Sequence, residues 1–335
     1  MSDIGKRKTD HIELALMPEH QGQASSPFDM IRFEHNALPE IALTDIDLSS
    51  QFLGQQICAP IMIGAMTGGC DKGDTINRHL AEAAEACNIP MALGSQRAAL
   101  EQNQPQTLRQ IAPTALLLGN IGATQLQQRG LDFAQKAVDA IQANALVVHI
   151  NPLQELVQQG GDRNWKQVLE SLYHCSDKLS VPVIVKEVGA GIGPSCAEKL
   201  FHGGINWIEI AGRGGTNWAS IELARNQISR EREIAEPFIH WGMDTVELLP
   251  AVNQRCPSLN LIGSGGVRNG LDVARCIRLG ASISALAQPF LAPALESTEA
   301  VIEKITLLKE QLRWAMFLTG SSNLENLRKA PLQPS

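Results

Sequence analysis

The 335-residue sequence lacks the features by which nucleic-acid binders and membrane proteins are recognised. Its formal net charge is -7, aromatic residues make up 4% of it, and it has no basic stripe with interleaved aromatics. That composition argues against a general nucleic-acid binder. The N-terminal residues form no apolar signal segment, and no later run approaches the ~20 apolar residues needed to cross a bilayer. We therefore expect a soluble protein in which a local basic cluster holds any anionic ligand.

Paired cysteines are also missing. The 7 cysteines are scattered, with no Cys-x-x-Cys motif and no regular spacing. This pattern is typical of thiols in a reducing compartment, rather than of a disulfide framework or a structural zinc site. We expect a cytoplasmic location and no structural zinc.

Apolar runs that alternate with helical patterns make up most of the chain. The runs are continuous rather than alternating with polar residues, which predicts strands covered on both faces. Their number favours a (β/α)8 TIM barrel over an open sheet. The predicted strands are residues 60–66, 90–94, 115–122, 145–151, 181–188, 205–211, 259–264 and 282–287, and predicted helices lie near 75–87, 104–111, 131–143 and 165–177 and after Pro194.

Two parts of the chain fall outside this alternation. Residues 1–55 offer little periodic apolar sequence, so we expect an N-terminal extension that packs on a barrel formed by residues 56–335. Residues 213–241 are rich in charge and form the longest segment without a clear pattern. A loop of that length is usually a lid or a binding element.

A glycine-rich loop follows the seventh predicted strand. It runs from Gly263 through Ser264, Gly265, Gly266 and Val267 to Arg268, and the eighth strand leads into Ala287 and Gln288. Small residues let backbone N–H groups approach an anion, a helix N-terminus adds unpaired donors, and the arginine adds charge. Phosphate sites of (β/α)8 barrels recur in these two loops. The sequence therefore predicts a phosphate site here.

Polar residues end the middle strands, where the catalytic groups of such barrels lie. Lys186 is either a surface lysine on an edge strand or a group facing an anionic ligand, because an unpaired ammonium in a covered strand is costly. His149 is either a core histidine or a ligand-binding group; Asn151 shares its face of the strand, which favours a pocket. Glu155 is either a solvated carboxylate at a helix start or a ligand of Mg²⁺, which often takes only one or two carboxylates plus substrate phosphates.

Two further features each have a structural and a functional interpretation. The basic residues 6–8 form either a solvated tail or a clamp over a diphosphate, which arginine and lysine bind together. Trp218 either anchors the long segment or turns its ring towards an electron-poor substrate centre.

Taken together, these motifs resemble the flavin-dependent, type 2 isopentenyl-diphosphate Δ-isomerases. The resemblance runs in order from residue 7 to about residue 290, and each of its motifs is weak alone. The matching stretches are residues 7–12, 65–69, 94–97, 119–122, 149–155, 185–187, 212–218 and 263–268.

This resemblance implies an FMN-binding barrel that interconverts isopentenyl diphosphate and dimethylallyl diphosphate by a 1,3-proton shift. The implied FMN contacts are Ala65, Met66, Thr67, Ser95, Asn120, Lys186, Thr216, Gly266, Val267, Arg268, Ala287 and Gln288. The implied substrate contacts are Arg7, Lys8, Arg97, His149, Asn151 and Gln154, with Glu155 on Mg²⁺. The implied catalytic residues are Lys186, His149, Gln154 and Trp218.

The implied chemistry needs reduced FMN although no net oxidation occurs. No pair of strong protein acids and bases is evident in the motifs, so our hypothesis is that reduced FMN is the acid–base group. Lys186 would stabilise the anionic reduced flavin near its N1 side. The resemblance also implies NADPH as the reductant of FMN and a homo-tetramer or homo-octamer, in which the basic N-terminal segment helps close a neighbouring site.

Three alternatives compete with this interpretation. An FMN-dependent 2-hydroxy-acid oxidoreductase needs a histidine base after strand 6, but residues 210–215 contain none. A barrel similar to inosine-monophosphate dehydrogenase needs a cysteine nucleophile after strand 6, and no cysteine lies between Cys196 and Cys256. A catalytically silent flavin- or phosphate-binding protein stays open, although His149, Gln154 and Glu155 would have no purpose in it.

Overall fold

The fold is a closed barrel of eight parallel strands surrounded by helices, as predicted. The computed structural model describes residues 3–21, 26–66 and 71–334. A two-stranded antiparallel hairpin, β1 (Ser50–Phe52) and β2 (Gln55–Ile57), precedes the barrel. The barrel strands are β3 (Ile61–Ile63), β4 (Met91–Ala92), β5 (Leu117–Gly122), β6 (Ala145–His149), β7 (Val183–Lys186), β8 (Trp207–Glu209), β9 (Asn260–Gly263) and β10 (Ile283–Leu286). They pair in chain order, and β10 closes the barrel against β3.

Helices fill the connections between strands and cover the outside of the barrel. The helices before β8 are α1 (Asp3–Leu16), α2 (Asp71–Cys87), α3 (Arg97–Glu101), α4 (Leu108–Ile111), α5 (Ala123–Arg129), α6 (Leu131–Ile141), α7 (Pro152–Val157), α8 (Val168–Lys178) and α9 (Pro194–His202). Those after it are α10 (Trp218–Arg225), α11 (Ser229–Ala235), α12 (Thr245–Arg255), α13 (Gly270–Arg278), α14 (Gln288–Glu296), α15 (Thr298–Leu318) and α16 (Leu324–Lys329). Within the described ranges, no helix has both the length and the apolar character that crossing a bilayer requires.

The strands are apolar throughout because both of their faces are buried. Every residue of β7 is buried, and the same holds for β3, β5 and β10. Since all eight strands run in one direction, their C-terminal ends meet at a single rim. In register, His149 on β6 pairs with Lys186 on β7, which pairs with Glu209 on β8. Three polar residues therefore meet at one level of this rim.

The hairpin β1–β2 closes the opposite end of the barrel. Phe52 and Ile57 are buried in one cluster with inward-facing barrel residues such as Met62 and Ile262. The ring of Phe52 lies edge-on to Trp207, with 4.9 Å between centroids. The bottom of the barrel is thus plugged by apolar side chains, and its polar end is the C-terminal rim.

The outer helices pack closely because of a glycine at the start of α13. A Cβ at Gly270 would lie 2.2 Å from the carbonyl oxygen of Leu308 and 2.5 Å from the amide nitrogen of Leu312, both on α15. No side chain fits such an approach between two backbones. Gly270 lies two residues after Arg268, the end of the glycine-rich loop, so this contact holds the end of the loop against the long helix α15.

Two sequence predictions need correction. Residues 213–241 are not a long irregular loop: they form α10, α11 and a 3-10 turn at Glu236–Phe238. Asn217 caps α10, its side chain accepting a hydrogen bond from the amide of Ser220. The helix predicted near 104–111 is also shorter, since α4 begins at Leu108.

Candidate active site

Two adjoining cavities open at the C-terminal rim of the barrel. The flavin-sized cavity, of about 1060 Å³, lies against β8, β9 and β10. The basic cavity, of about 770 Å³, lies against β4, β5 and β6. Seven residues line both of them: Lys8, His11, Ala65, Met66, Lys186, Val188 and Trp218. The two cavities therefore adjoin along these shared residues.

The flavin-sized cavity has an anion cradle at one end. Within the described part of the chain, the amide N–H groups of Gly266 and Val267 donate to no acceptor. Gly266 has a φ of +81°, and a Cβ there would lie 2.8 Å from the carbonyl carbon of Gly214. The loops after β8 and β9 thus meet backbone to backbone, which leaves unpaired donors facing the cavity. Such donors beside Arg268 suit a phosphate group.

Most of the sequence-predicted FMN contacts line this cavity. They are Ala65, Met66, Lys186, Thr216, Gly266, Val267, Arg268, Ala287 and Gln288. Ser95 and Asn120 line the basic cavity instead. Thr67 lies outside the described residues.

Lys186 stands where the two cavities meet. It is 9% exposed, and its Nζ donates to the carbonyl oxygen of Glu187 at 2.6 Å. Its Nζ also lies 3.4 Å from Oε1 of Glu209. A buried ammonium needs such partners. The lysine is therefore not on an edge strand at the surface; it points into the barrel mouth.

The basic cavity gathers the sequence-predicted substrate contacts. Arg7, Lys8, Arg97, His149, Asn151, Gln154 and Glu155 all line it. Arg7 and Lys8 lie on α1, so the basic residues belong to a helix rather than to a solvated tail. The Nε of Arg7 is buried without a hydrogen-bond partner in the described part of the chain. Arg97 is held by Glu101, 3.1 Å away. The cavity thus presents several cations to one bound anion.

Hydrogen bonds fix the orientation of the His149 ring. Asn120 donates through Nδ2 to the carbonyl oxygen of Leu93 at 2.8 Å, so its Oδ1 faces His149. That oxygen lies 2.8 Å from Nδ1 of the imidazole. Since Oδ1 can only accept, Nδ1 carries the hydrogen and Nε2 remains for a ligand. The sequence-predicted flavin residue Asn120 therefore orients the substrate residue His149.

Glu155 is buried rather than solvated, at 8% exposure. Its Oε1 accepts from Nδ2 of Asn151 at 3.0 Å, and its Oε2 accepts from the amide of Asp162 at 2.7 Å. No group of three or more His, Cys, Asp or Glu residues is arranged for a metal in the ranges that the structure describes. A single carboxylate with free lone pairs suits Mg²⁺ when substrate phosphates complete the shell.

A polar network behind this site was missed in the sequence. The buried Glu222 on α10 accepts from Nε2 of Gln154 at 3.0 Å, and its Oε1 is 3.0 Å from Nε2 of His11. Burial acts to raise the pKa of Glu222, but the interactions with His11 and Gln154 and the charge of Arg225 outweigh it, so the pKa is lowered. The ionised carboxylate ties α1 to α10 and orients Gln154.

Two signals in the sequence could have revealed these residues. Glu222 lies one helical turn after Trp218, but the segment showed no clear pattern and was not assigned to a helix. Glu209 is a charged residue at the end of an apolar strand, as Lys186 is, and this pattern predicts a charged side chain that faces a ligand. It is 1% exposed, and its Oε1 accepts from Ser264 at 2.8 Å.

Solved structures support the fold alone. A mandelate oxidase variant superposes with a TM-score of 0.66 at 17% identity, over 99% of this chain and 99% of that one. At such low identity the likeness carries no function.

Sequence relatives define the family. The chain matches the FMN-dependent dehydrogenase family over residues 18–150 and 141–334. It is 47% identical to an isopentenyl-diphosphate delta-isomerase of Stutzerimonas stutzeri, over 97% of this chain and 96% of the relative. It is 44% identical to that of Cronobacter sakazakii, over 98% and 97%. The chain therefore belongs to the flavin-dependent isopentenyl-diphosphate delta-isomerases, within the FMN-dependent dehydrogenase family.

Proposed function

We propose that this protein interconverts isopentenyl diphosphate and dimethylallyl diphosphate, with FMN and Mg²⁺ as cofactors. The observation that carries this proposal is the junction of two cavities at Lys186, one fitted to a flavin and the other lined by cations. A flavin in the first would face a diphosphate ester in the second.

The flavin site is formed by the loops after the last strands. The amides of Gly266 and Val267, with Arg268, would hold the phosphate, and Lys186 would hold the opposite end of the cofactor. Reduced FMN, when bound, supplies the acid–base group that moves the proton. The ammonium of Lys186 stabilises negative charge at this position, because a buried cation acts more strongly than one in water.

The diphosphate site uses cations from three directions. Arg7 and Lys8 approach from α1, Arg97 from α3, and Lys186 from β7. Glu155 would hold Mg²⁺, which neutralises part of the diphosphate charge. Gripping the diphosphate orients the allylic carbons towards the flavin cavity and keeps the leaving group in place. Trp218 lines both cavities, and its ring would face the electron-poor centre of the substrate.

His149 is a neutral hydrogen-bonding group in the free enzyme. Burial, together with the charges of Lys186 and Lys8, lowers its pKa to about 3. Its Nε2 therefore carries no proton near neutral pH, and His149 is not a general acid in the free site. A bound diphosphate would add negative charge beside Nε2 and raise the pKa of His149 again.

Isomerisation fits the site better than oxidation of a 2-hydroxy acid. Those oxidoreductases need a histidine base after strand 6, whereas the corresponding residues 210–215 contain none and include Arg213. Its Nε lies 2.9 Å from Oδ1 of Asp244, and its Nη1 donates to the carbonyl oxygen of His240. The guanidinium lines a different cavity from the two that meet at Lys186. A proton-abstracting base is thus missing from this position.

Further properties complete the proposal. NADPH would reduce FMN before the reaction. Because the isomerisation involves no net oxidation, reductant would be needed only for this activation. The scattered cysteines suit a cytoplasmic location. A homo-tetramer or homo-octamer follows from the family resemblance.

The reaction itself is tested with the purified protein. We expect it to be yellow, and after anaerobic reduction with Mg²⁺ and isopentenyl diphosphate, NMR should show dimethylallyl diphosphate without stoichiometric use of reductant. Stoichiometric consumption of NADPH would indicate an oxidoreductase. A chain that takes up no FMN would rule out both.

Replacing Lys186 with alanine should lower turnover by about 100- to 1,000-fold, the usual effect of removing one preorganised charge. The KM for isopentenyl diphosphate should change much less, because Arg7, Lys8 and Arg97 remain. Steady-state kinetics measure both constants. Lys178→Ala, on the exposed face of α8, is the control. Wild-type turnover in Lys186→Ala would remove this lysine from the mechanism.

Replacing Glu155 with glutamine should abolish the response to Mg²⁺ and most of the activity, because the neutral amide is a poor ligand for a hard cation. Activity is measured across a Mg²⁺ titration. Glu233→Gln changes an exposed carboxylate on α11 and should keep the wild-type response. An unchanged Mg²⁺ titration in Glu155→Gln would place the metal elsewhere.

His149 should make the protein less stable as the pH falls. The unfolded state takes up a proton near pH 6.5, whereas the folded state takes it up only near pH 3. Between these values stability falls by up to about 1.4 kcal/mol per pH unit. Urea unfolding at pH 6.5 and pH 5 should show a loss about 1–2 kcal/mol smaller in His149→Asn than in the wild type. Parallel losses in the two proteins would contradict a neutral His149, and the exposed His174→Asn serves as the control.

A further inference from the structure

Glu209 carries a buried carboxylate oxygen that the fold itself does not use. The residue is 1% exposed, at the C-terminal end of β8. Its Oε1 accepts from the hydroxyl of Ser264 at 2.8 Å and lies 3.4 Å from Nζ of Lys186. Its Oε2 has no hydrogen-bond partner in the described part of the chain. Ser264 and Lys186 therefore both contact Oε1, and neither is a hydrogen-bond partner of Oε2.

An ion pair with Lys186 explains the position of Oε1 of Glu209 but not that of Oε2. A buried carboxylate is costly unless its oxygens accept hydrogen bonds. The ion pair with Lys186 accounts for Oε1, which leaves Oε2 without compensation. Glu209 lines the flavin-sized cavity, and it is the one carboxylate among the described residues that do so. A ligand that donates a hydrogen bond would complete the group.

The position of Glu209 along the cavity indicates which part of the ligand donates. Ser264, its partner on one side, lies two residues before Gly266, where the cradle formed by Gly266 and Val267 begins. Lys186, its partner on the other side, stands at the junction with the basic cavity. Glu209 therefore lies between the end that suits a phosphate and the end that suits the isoalloxazine ring. In FMN, the ribityl chain with its three hydroxyl groups connects those two ends.

We propose that Oε2 of Glu209 accepts a hydrogen bond from a ribityl hydroxyl of FMN, which makes Glu209 a cofactor-positioning residue. This inference rests on the proposed flavin cofactor. A hydroxyl donor suits an ionised carboxylate because such bonds are short and strong. One carboxylate then fixes two things: the ammonium of Lys186 through Oε1 and the cofactor chain through Oε2. The distance between ring and lysine is set by the same side chain.

The test compares FMN with 2′-deoxy-, 3′-deoxy- and 4′-deoxy-FMN on the full-length, flavin-loaded protein. The protein is equilibrated with mixtures of FMN and one analogue, and the ratio of bound flavins gives their relative affinity. We expect the wild type to discriminate about tenfold or more against at least one analogue, as the loss of a charge-assisted hydrogen bond implies. Glu209→Leu should bind that analogue and FMN equally, because the acceptor is gone.

Two further variants separate contact from structure. Glu209→Gln keeps an uncharged acceptor and should discriminate less than the wild type but more than Glu209→Leu. Ser264→Ala removes the partner of Oε1 only and should discriminate like the wild type. The affinity ratio of FMN to an analogue is compared between the wild type and each variant. A general loss of stability lowers the affinity for both flavins alike, so it leaves this ratio unchanged.

The outcomes distinguish this inference from the proposed function. A wild-type protein that retains no FMN would refute the flavin cofactor itself. A protein that binds FMN but discriminates against none of the three analogues would overturn only the role of Glu209. Equal discrimination in the wild type and in either Glu209 variant that folds would do the same.

Discussion

A buried ammonium at the mouth of the barrel determines how the rest of the site is arranged. Lys186 ends a strand that is covered on both faces, so its charge must be compensated locally. The carboxylate of Glu209 and the carbonyl of Glu187 provide part of that compensation. Its field also lowers the pKa of His149 on the neighbouring strand, next to the larger effect of burial. An anionic ligand in either cavity gains from the remaining charge, which makes the lysine the link between the two sites.

The N-terminal helix depends on a second buried charge. Glu222 accepts from Gln154 and pairs with His11 and Arg225. Arg225 in turn pairs with Asp10, so α1 is attached to α10 at two consecutive residues. This attachment brings Arg7 and Lys8 over the basic cavity, although they are distant in sequence from every other lining residue outside α1. The same carboxylate thus supports two cations and a polar side chain that line the basic cavity.

The barrel could be predicted from the sequence because burial of both strand faces leaves a direct trace in composition. All eight predicted apolar runs contain a strand of the barrel. The glycine-rich loop at the cavity was also predictable, since its glycines and Arg268 are adjacent in the chain, whereas its binding of a phosphate stays a prediction. The position of Glu222 was not, because α10 shows its helical pattern over only two turns and lies among charged residues. The contact of Glu209 with Ser264 joins residues 55 positions apart, and only the closed barrel brings them together.

Proteins that share this barrel fold differ in the residues that line the cavities at its C-terminal rim. A mandelate oxidase shares the whole fold at 17% identity, so the barrel itself does not select the reaction. In this chain, residues 210–215 after β8 contain no histidine; Arg213 among them is held by Asp244 and by the carbonyl oxygen of His240, and it lines neither of the two cavities that meet at Lys186. Cations on α1 and α3 line the cavity beside the flavin site instead. The strands of the barrel are common to both groups of proteins, whereas the loop after β8 and the N-terminal helix of this chain line the two cavities that we propose for FMN and for the diphosphate.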